Sequence, residues 1–309
     1  MYRNRSMGRK NMKIDRKQFD VLEVLATRQE RISRECLADC TGYTTETIDA
    51  TLNELVEQHF VDEGRITDEG LIALEPFRVQ RAIFLAAGFG TRMVPITFNT
   101  PKPLVRVHGI RIIDRLLDAC IAAGIEEIYI VRGYLSEQFD QLLYKYPMIR
   151  FLENPMYNEA NNISSALVAR YLLTNAYVIE SDMLLSNPSV IRKYHYRSNY
   201  LGVKKTQSDD WVIRARDGLI YEETVCAEGD DVYQMVGISY WDEQAGHRLC
   251  QDIQEEYSLP GGKDRYWEQV PLVFRKDHYQ VEIRECREED IVEIDTFNEL
   301  KAIDKTYDV

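Results

Sequence analysis

The feature that most limits how this chain can fold is an apolar segment that leads directly into a glycine-rich loop. The segment is 82–87 (Ala-Ile-Phe-Leu-Ala-Ala) and the loop is 88–92 (Gly-Phe-Gly-Thr-Arg). An apolar run without polar alternation is typical of a strand buried on both faces of a parallel sheet. The two glycines let backbone N–H groups approach an anion closely, and Arg92 adds a forked charged donor. The sequence therefore predicts a buried strand that ends in an anion-binding loop.

Helical and strand-like segments alternate after this loop. The segments with helical periodicity are 111–123, 135–144 and 164–173. The strand-like segments are 127–131, 149–152 and 176–182. Such alternation predicts right-handed βαβ units and an open α/β sheet with its ligand site at the carboxyl ends of the strands. From about residue 198 the sequence becomes β-rich, which predicts added antiparallel strands that cover the site.

Residues 14–78 are predicted to form a separate small domain. Three helical stretches and a short hairpin around Gly64 resemble a winged helix-turn-helix domain. Its third helix, 44–58, contains four acidic residues and neither Lys nor Arg, and residues 14–80 hold seven basic and fifteen acidic residues, a net charge of −8. This sign argues against DNA binding and favours a packing, dimerisation or regulatory module. Residues 1–13, with five basic residues and no acidic one, are expected to be a flexible tail.

Length and composition exclude several other classes of protein. The 309 residues correspond to roughly two domains at about 150 residues per domain. A formal charge of −13, from 38 basic and 51 acidic residues, disfavours a broad nucleic-acid surface. No apolar run approaches the roughly 18 residues of a membrane span. The six cysteines include no C-x-x-C pair, so we expect free thiols and a cytoplasmic location.

Two better-known phosphate-binding motifs do not fit the loop. A dinucleotide fingerprint requires a third glycine where this chain has Met93, and no Walker A run is present. The remaining pattern is L-A-A-G-x-G-T-R-M-x-P, followed by P-K-P-L at 101–104.

This pattern resembles the signature of nucleotidyltransferases, which join an NTP to a phosphorylated small molecule and release pyrophosphate. The resemblance spans residues 81–305. Later segments are similar to the CTP:phosphocholine cytidylyltransferase branch; they are 161–165, 180–182, 198–200, 204–205, 210–211 and 293–295. The resemblance implies a Rossmann-like, GT-A-like mixed α/β sheet over 81–309. It also implies CTP and phosphocholine as substrates, with CDP-choline as product.

The same resemblance implies roles for the charged residues. Arg92 is expected to bind the β and γ phosphates, and Lys102, between two prolines, to stabilise the transferring phosphate; both are predicted catalytic residues. Asp182 is predicted to bind Mg²⁺, because an unpaired carboxylate at the end of a buried strand is costly. Asp295 is the predicted second ligand, with Glu293 as the fallback. Asp295 at the start of a helix is equally a good N-cap, so that alternative stays open.

The nucleotide is expected to lie on the loop and its neighbours. The predicted nucleotide-binding residues are Ala86, Ala87, Gly88, Gly90, Thr91, Gly133, Asn161 and Asn162. The two asparagines offer amide groups to a pyrimidine or ribose, although Asn-Asn-Ile-Ser-Ser is also typical of an ordinary helix N-terminus.

A choline group requires aromatic faces and a nearby carboxylate, because a quaternary ammonium forms no hydrogen bonds. Aromatic residues are concentrated after the third strand, including Tyr240 and Tyr266. The predicted acceptor-binding residues among them are Trp211, Tyr233, Trp241 and Trp267. The five histidines lack metal-ligand spacing.

Three alternatives remain at this point. The acceptor is a sugar 1-phosphate in one alternative and an aminoalkylphosphonate in another. The third, from another class, is a transcriptional regulator that keeps a degenerate transferase domain as a sensor. The intact loop, Lys102 and Asp182 argue against degeneracy. The sequence leaves a homodimer open.

Overall fold

The computed structural model describes residues 14–28 and 32–308. The chain divides into two compact units, Met1–Arg78 and Val79–Val309. The basic tail predicted at 1–13 lies outside the described residues. Among the described residues, no helix has the length and apolar character needed to cross a membrane.

The first unit contains four α-helices within its described residues, with a short hairpin before the last of them. Its elements are α1 (Arg16–Thr27), α2 (Arg34–Thr41), α3 (Thr45–Glu57), β1 (Val61–Asp62), β2 (Arg65–Ile66) and α4 (Asp68–Leu74). Each helix begins after a side chain that caps its first turn; the caps are Asp15, Ser33, Thr44 and Thr67. The order of elements agrees with the sequence analysis, whereas the resemblance to a winged helix stays a prediction.

The second unit is built on a large mixed sheet. Its strands are β3 (Arg81–Ala86), β4 (Arg106–Val107), β5 (Ile110–Arg111), β6 (Glu127–Arg132), β7 (Arg150–Glu153), β8 (Ala176–Glu180), β9 (Met183–Leu185), β10 (Asn199–Lys204), β11 (Gln207–Arg216), β12 (Leu219–Glu228), β13 (Val232–Trp241), β14 (Glu282–Cys286) and β15 (Ile291–Glu293). Within the described residues, nine strands form one sheet in the order β10-β14-β12-β11-β13-β8-β3-β6-β7. Strands β8, β3, β6 and β7 are parallel, which is the predicted α/β core.

Both faces of this parallel region are buried. Along β3, Ala82 and Phe84 belong to one hydrophobic cluster, and Ile83 and Leu85 belong to the other. Helices cover the two faces and the chain end: α5 (Ile112–Ala122), α6 (Ile163–Ala169), α7 (Glu243–Ser258) and α8 (Phe297–Ile303). Successive side chains of a strand point to opposite faces of the sheet. Because both faces are buried here, every position of the segment is apolar.

The structure corrects three details of the sequence analysis. Segment 135–144 forms a 3₁₀ helix, Ser136–Tyr144, and the helix predicted over 164–173 ends at Ala169 before a 3₁₀ turn. The later strands extend the main sheet instead of forming a separate cover, because β13 pairs antiparallel with β8. Residues of β13 are therefore buried with the central core.

Candidate active site

The glycine loop has a backbone shape that only glycine accommodates easily. Gly90 has φ = 63°, and a Cβ there would lie 3.0 Å from Thr97 Cγ2 and 3.1 Å from Lys102 Cβ. The Thr97 hydroxyl donates a hydrogen bond of 2.8 Å to the Gly90 carbonyl. The loop is thus closely packed against the segment that presents Lys102.

Two short strands bring three acidic residues together. Asp182 follows β8, and the neighbouring Ser181 hydroxyl donates to the Leu85 carbonyl of β3 at 2.7 Å. Strand β15 pairs antiparallel with β9, which places Glu293 opposite Met183. Carboxylate oxygens of Asp182, Glu293 and Asp295 consequently lie within 4.8 Å of one another. This arrangement joins residues more than a hundred positions apart in the chain.

The predicted catalytic cations contact these acids. Lys102 Nζ lies 2.8 Å from Asp182 Oδ2 and 3.0 Å from Asp295 Oδ1. Arg92 donates to Asp295 Oδ2 at 2.7 Å. Residues 92, 102 and 182 therefore converge on one region, as the proposed chemistry requires.

The electrostatics of the cluster follow from this geometry. Burial opposes the charge of Lys102, but the carboxylates of Asp182 and Asp295 raise the pKa of Lys102 above its ordinary value. Although burial acts in the opposite direction, Lys102 and Arg92 keep the pKa of Asp295 below its usual range. Burial, reinforced by the two neighbouring acids, raises the pKa of Glu293 to about 9. The cluster thus has ionised and protonated members near neutral pH.

The position of Asp295 bears on the helix-cap alternative. Helix α8 is capped by Thr296, whose hydroxyl accepts from Glu299 N while the Glu299 side chain accepts from Thr296 N. The Asp295 carboxylate instead contacts Lys102 and Arg92. Asp295 is therefore free of the capping role and faces the acidic cluster.

The donor set at this cluster fits a hard divalent cation. Its ligand atoms are all carboxylate oxygens, which such cations prefer. Asp182 Oδ1 is buried and has no hydrogen-bond partner. No hydrogen bond therefore offsets the free-energy cost of removing this oxygen from water.

A cavity of about 410 Å³ opens beside the cluster and the loop. Most predicted catalytic, nucleotide-binding and metal-binding residues line it: Ala86, Ala87, Gly88, Gly90, Thr91, Arg92, Lys102, Asn161, Asn162, Asp182 and Asp295. Gly133 does not line it, because the Tyr157 side chain occupies the space beside Gly133 at 2.7 Å from an added Cβ. The structure therefore brings the predicted site together except for Gly133 and the acceptor-binding residues.

The four predicted acceptor-binding aromatics do not line the cavity. Trp241 and Trp267 are 0% and 1% exposed and pack edge to face in the hydrophobic core, which corrects their prediction. Tyr233 lies against Lys204, whose Nζ is 4.3 Å from the ring centroid. Trp211 contacts the ring of Tyr266, which does line the cavity.

Sequence reasoning also missed three acidic residues, of which Glu180 lines the cavity and Glu223 and Glu268 do not. Glu180 lines the cavity at the end of β8, and the argument that singled out Asp182 applies equally to it. Asn162 Nδ2 lies 3.3 Å from Glu180 Oε1 and 3.4 Å from Glu268 Oε2. Burial raises the pKa of Glu268 to about 8 and that of Glu223 to about 7. No spacing pattern in the sequence indicated Glu223 or Glu268.

Comparison with known proteins identifies the family of the chain. The profile of the nucleotidyl transferase family matches residues 81–198. The chain is 36% identical over 230 residues to the 2-aminoethylphosphonate cytidylyltransferase of Lancefieldella rimae, covering 73% of this chain and 92% of that protein. It is 31% identical over 227 residues to the choline-phosphate cytidylyltransferase of Streptococcus pneumoniae, covering 73% and 97%.

A solved structure extends the similarity to the fold. The CTP:phosphocholine cytidylyltransferase from Streptococcus pneumoniae matches with a TM-score of 0.68 and 31% identity, over 74% of this chain and 99% of that one. The predicted α/β nucleotidyltransferase fold is thereby confirmed. By profile, sequence and fold, the chain belongs to the nucleotidyl transferase family and is a nucleotidyltransferase with cytidylyltransferases among its relatives.

Proposed function

We propose that this chain transfers the cytidylyl group of CTP, with Mg²⁺, to a small acceptor that bears a phosphate or phosphonate and a cationic nitrogen. A phosphoryl oxygen of the acceptor attacks the α-phosphorus in line, forming the new P–O–P linkage. The bond between the α-phosphorus and the bridging oxygen breaks, and pyrophosphate leaves with that electron pair. Positioning and charge neutralisation dominate such a reaction.

The convergence of Arg92, Lys102 and Asp182 beside the glycine loop is the observation that supports this proposal. Backbone N–H groups of 88–91 bind the triphosphate, and Arg92 binds its β and γ oxygens. Lys102 stabilises the charge that develops on the transferring phosphate. Both cations exchange their present carboxylate partners for phosphate oxygens when substrate binds.

Asp182 and Asp295 are the proposed ligands of Mg²⁺, with Glu293 adjacent. The ion, when bound, supplies positive charge to the phosphate oxygens. The buried, unpartnered Asp182 Oδ1 supports this assignment.

The acceptor of the proposed reaction is a phosphate or phosphonate that also bears an ammonium group. The sequence resemblance favours phosphocholine, and the relative from Streptococcus pneumoniae is named for choline phosphate. The relative from Lancefieldella rimae is named for 2-aminoethylphosphonate. A sugar 1-phosphate lacks the positively charged nitrogen that these two acceptors share.

Pyrophosphate release tests the proposed function. The purified chain is incubated with Mg²⁺, each of the four NTPs, and phosphocholine, 2-aminoethylphosphonate or glucose 1-phosphate. We expect release with CTP and an acceptor that bears an ammonium group, and at least about tenfold less release with glucose 1-phosphate. Faster release with glucose 1-phosphate would move the chain to the sugar-nucleotide branch.

The regulator alternative is tested separately. The full chain is mixed with random-sequence duplex DNA at low and high salt in a mobility-shift assay. We expect no shift, because α3 and its surroundings are acidic. Salt-sensitive binding would restore the regulator alternative.

A further inference from the structure

Asn161 in the cavity wall is bonded to a segment more than a hundred residues further along the chain. Its backbone N–H donates to the Lys263 carbonyl at 2.8 Å, and its side-chain amide donates to the Asp264 carbonyl at 3.1 Å. Its side-chain oxygen accepts from Asn162 N at 2.7 Å. These bonds hold residues 263–268, which we name the strap, against the start of α6.

Asn162 uses both ends of its side-chain amide for protein partners. Its oxygen accepts from Trp267 N in the strap at 2.8 Å. Its nitrogen, which has two N–H groups, donates to Glu180 Oε1 at 3.3 Å and to Glu268 Oε2 at 3.4 Å. Although Asn162 is at the N-cap position of α6, its side chain is bonded to these groups instead of capping the helix. Asn162 therefore joins the strap to Glu180 at the end of β8.

The strap has a second attachment, to α7. Arg265 forms an ion pair with Glu256, and Arg275 donates to the same carboxylate at 2.6 Å. Glu256 is 3% exposed, so water screens these ion pairs little. Loss of the asparagine bonds is therefore expected to shift the cavity side of the strap without unfolding the second unit.

Tyr266 is the residue of the strap that lines the cavity, and it is 39% exposed. Two further aromatic residues of the lining, Phe89 and Tyr157, contact each other with ring centroids 5.4 Å apart, and Phe89 belongs to the glycine loop. Tyr266 instead contacts Trp211, also at 5.4 Å. An aromatic face attracts a cationic nitrogen. Because the triphosphate is assigned to the loop, the strap side of the cavity is left for the cationic nitrogen of the acceptor.

We propose that Asn161 and Asn162 are positioning residues, which hold the strap and its Tyr266 at the acceptor end of the cavity, rather than ligands of the nucleotide. This inference rests on the proposed cytidylyl transfer and specifies how the acceptor end is built. Buried polar groups require hydrogen-bond partners, and the two amides obtain theirs from the protein itself. The acceptor nitrogen then meets a ring that is already in place, so less free energy is lost in ordering the site.

Asn161→Ala and Asn162→Ala test the proposal in steady-state kinetics with CTP and Mg²⁺. The acceptor is phosphocholine or 2-aminoethylphosphonate, whichever the unmodified chain turns over faster. We expect the KM for the acceptor to rise about 10-fold in each variant, because a hydrogen-bonded attachment of the strap is lost. The KM for CTP is expected to stay within about 3-fold, since the loop residues that bind the triphosphate are unchanged.

Asn158→Ala is the matched control, because Asn158 is exposed and lies three residues before Asn161, outside the cavity lining. Both of its KM values are expected to stay within about 2-fold of those of the unmodified chain. A merely destabilised variant contains less active protein, which lowers the apparent kcat and leaves both KM values unchanged. A change in the ratio of the two KM values is therefore specific to positioning.

Acrylamide quenching of tryptophan fluorescence gives a second readout that does not depend on turnover. Trp241 and Trp267 are 0% and 1% exposed, so quenching reports mainly on Trp211, whose ring contacts Tyr266. A displaced strap uncovers Trp211. We expect the quenching constant of the unliganded chain to rise by at least about 1.5-fold in both variants but not in Asn158→Ala.

Two results overturn the proposal and leave cytidylyl transfer intact. One is a rise in the KM for CTP that equals or exceeds the rise for the acceptor, which would make the asparagines nucleotide ligands. The other is an unchanged acceptor KM in both variants. Absence of pyrophosphate release from the unmodified chain with both acceptors contradicts the proposed transfer itself. Unchanged quenching in both variants then overturns the attachment of the strap as well.

Discussion

Lys102 has a buried ammonium whose charge is balanced by two carboxylates, Asp182 and Asp295. A side chain with this much burial is conformationally restricted, so its charge is presented at a fixed position. In the proposed reaction, phosphate oxygens replace these two carboxylates as the partners of Lys102. Charge balance in the site is thus a property of the group of residues rather than of any one.

Lys102→Ala tests the contribution of this ammonium. We expect kcat to fall roughly 100- to 1000-fold, the usual cost of losing a preorganised charged donor. Pyrophosphate release measures the rate, and circular dichroism checks the fold. Lys145→Ala, which removes an exposed lysine paired with Asp118, is the matched control. An unchanged rate in Lys102→Ala removes this residue from the mechanism.

Asp182→Asn tests the proposed metal site. We expect the Mg²⁺ concentration for half-maximal rate to rise about 10-fold or more, because one ligand charge is lost. Chelation by EDTA is expected to stop the unmodified enzyme, with recovery on added Mg²⁺. Asp118→Asn, which changes an exposed carboxylate, serves as the control. Identical Mg²⁺ dependence in Asp182→Asn would place the ion elsewhere.

The raised pKa of Glu268, about 8, predicts a pH-dependent stability. Between about pH 4.5 and 8 the folded chain keeps a proton on Glu268 that the unfolded chain has released, so stability falls as pH rises. Glu268→Gln removes this loss, and its stability relative to the unmodified chain rises over that range by at most about 1.4 kcal/mol per pH unit.

Urea unfolding without ligands, followed by tryptophan fluorescence, measures this difference, since all three tryptophans lie in the second unit. Glu255→Gln, an exposed carboxylate, is expected to show no such trend. A constant difference between Glu268→Gln and the unmodified chain across pH 5 to 8 contradicts the prediction.

The glycine loop is the proposed binding element for the triphosphate, and two of its glycines differ in their surroundings. At Gly90 the positive φ and close contacts with Thr97 and Lys102 oppose any side chain. At Gly88 an added Cβ meets no atom within 4 Å, and the residue lines the cavity.

Gly90→Ala and Gly88→Ala are therefore expected to fail differently. Gly90→Ala costs about 1 kcal/mol or more in backbone strain, lowers Tm and reduces kcat about 10-fold or more by shifting Lys102. Gly88→Ala keeps its Tm but raises the KM for CTP. Differential scanning fluorimetry and initial rates measure these effects. Equal Tm values for both variants would contradict the packing argument.

The parallel core could be predicted from the sequence because its signal is local. Segment 82–87 is apolar throughout because both sides of β3 are buried. The loop after it contains several motif residues close together in the sequence. The meeting of Asp182 with Asp295 was anticipated only through family resemblance. The pairing of β9 with β15 that produces it has no signature in either short strand.

The burial of Trp241, a predicted acceptor-binding residue, could not be foreseen from the sequence, because it depends on which strand its own strand pairs with. In the sequence, Trp241 is an aromatic residue suitable for binding a cation. In the structure, β13 pairs with β8, and the side chain of Trp241 is buried in the core. The contacts of Asn162 with Glu180 and Glu268 could not be predicted either, because the fold brings these three residues together from distant parts of the chain.

At the scale of the whole molecule, the chain consists of two units with separate cores and different relations to known proteins. The family profile begins at residue 81, directly after the boundary at Arg78. Every residue that lines the cavity belongs to the second unit. The first unit, with its acidic third helix, has no assigned chemistry and is the natural candidate for a regulatory or packing role.

This division predicts that residues 79–309 fold and act alone. The strands of the sheet, the glycine loop and the acidic cluster are complete within that range. We expect the truncated chain to keep kcat/KM for CTP and its acceptor within about 3-fold of the full chain, with a cooperative thermal transition. Initial rates and thermal unfolding of both forms provide the comparison, and Lys102→Ala in the truncated form supplies the inactive reference. A loss above about 10-fold in a folded truncated chain means that the first unit contributes to turnover, and its surface then becomes part of the mechanism.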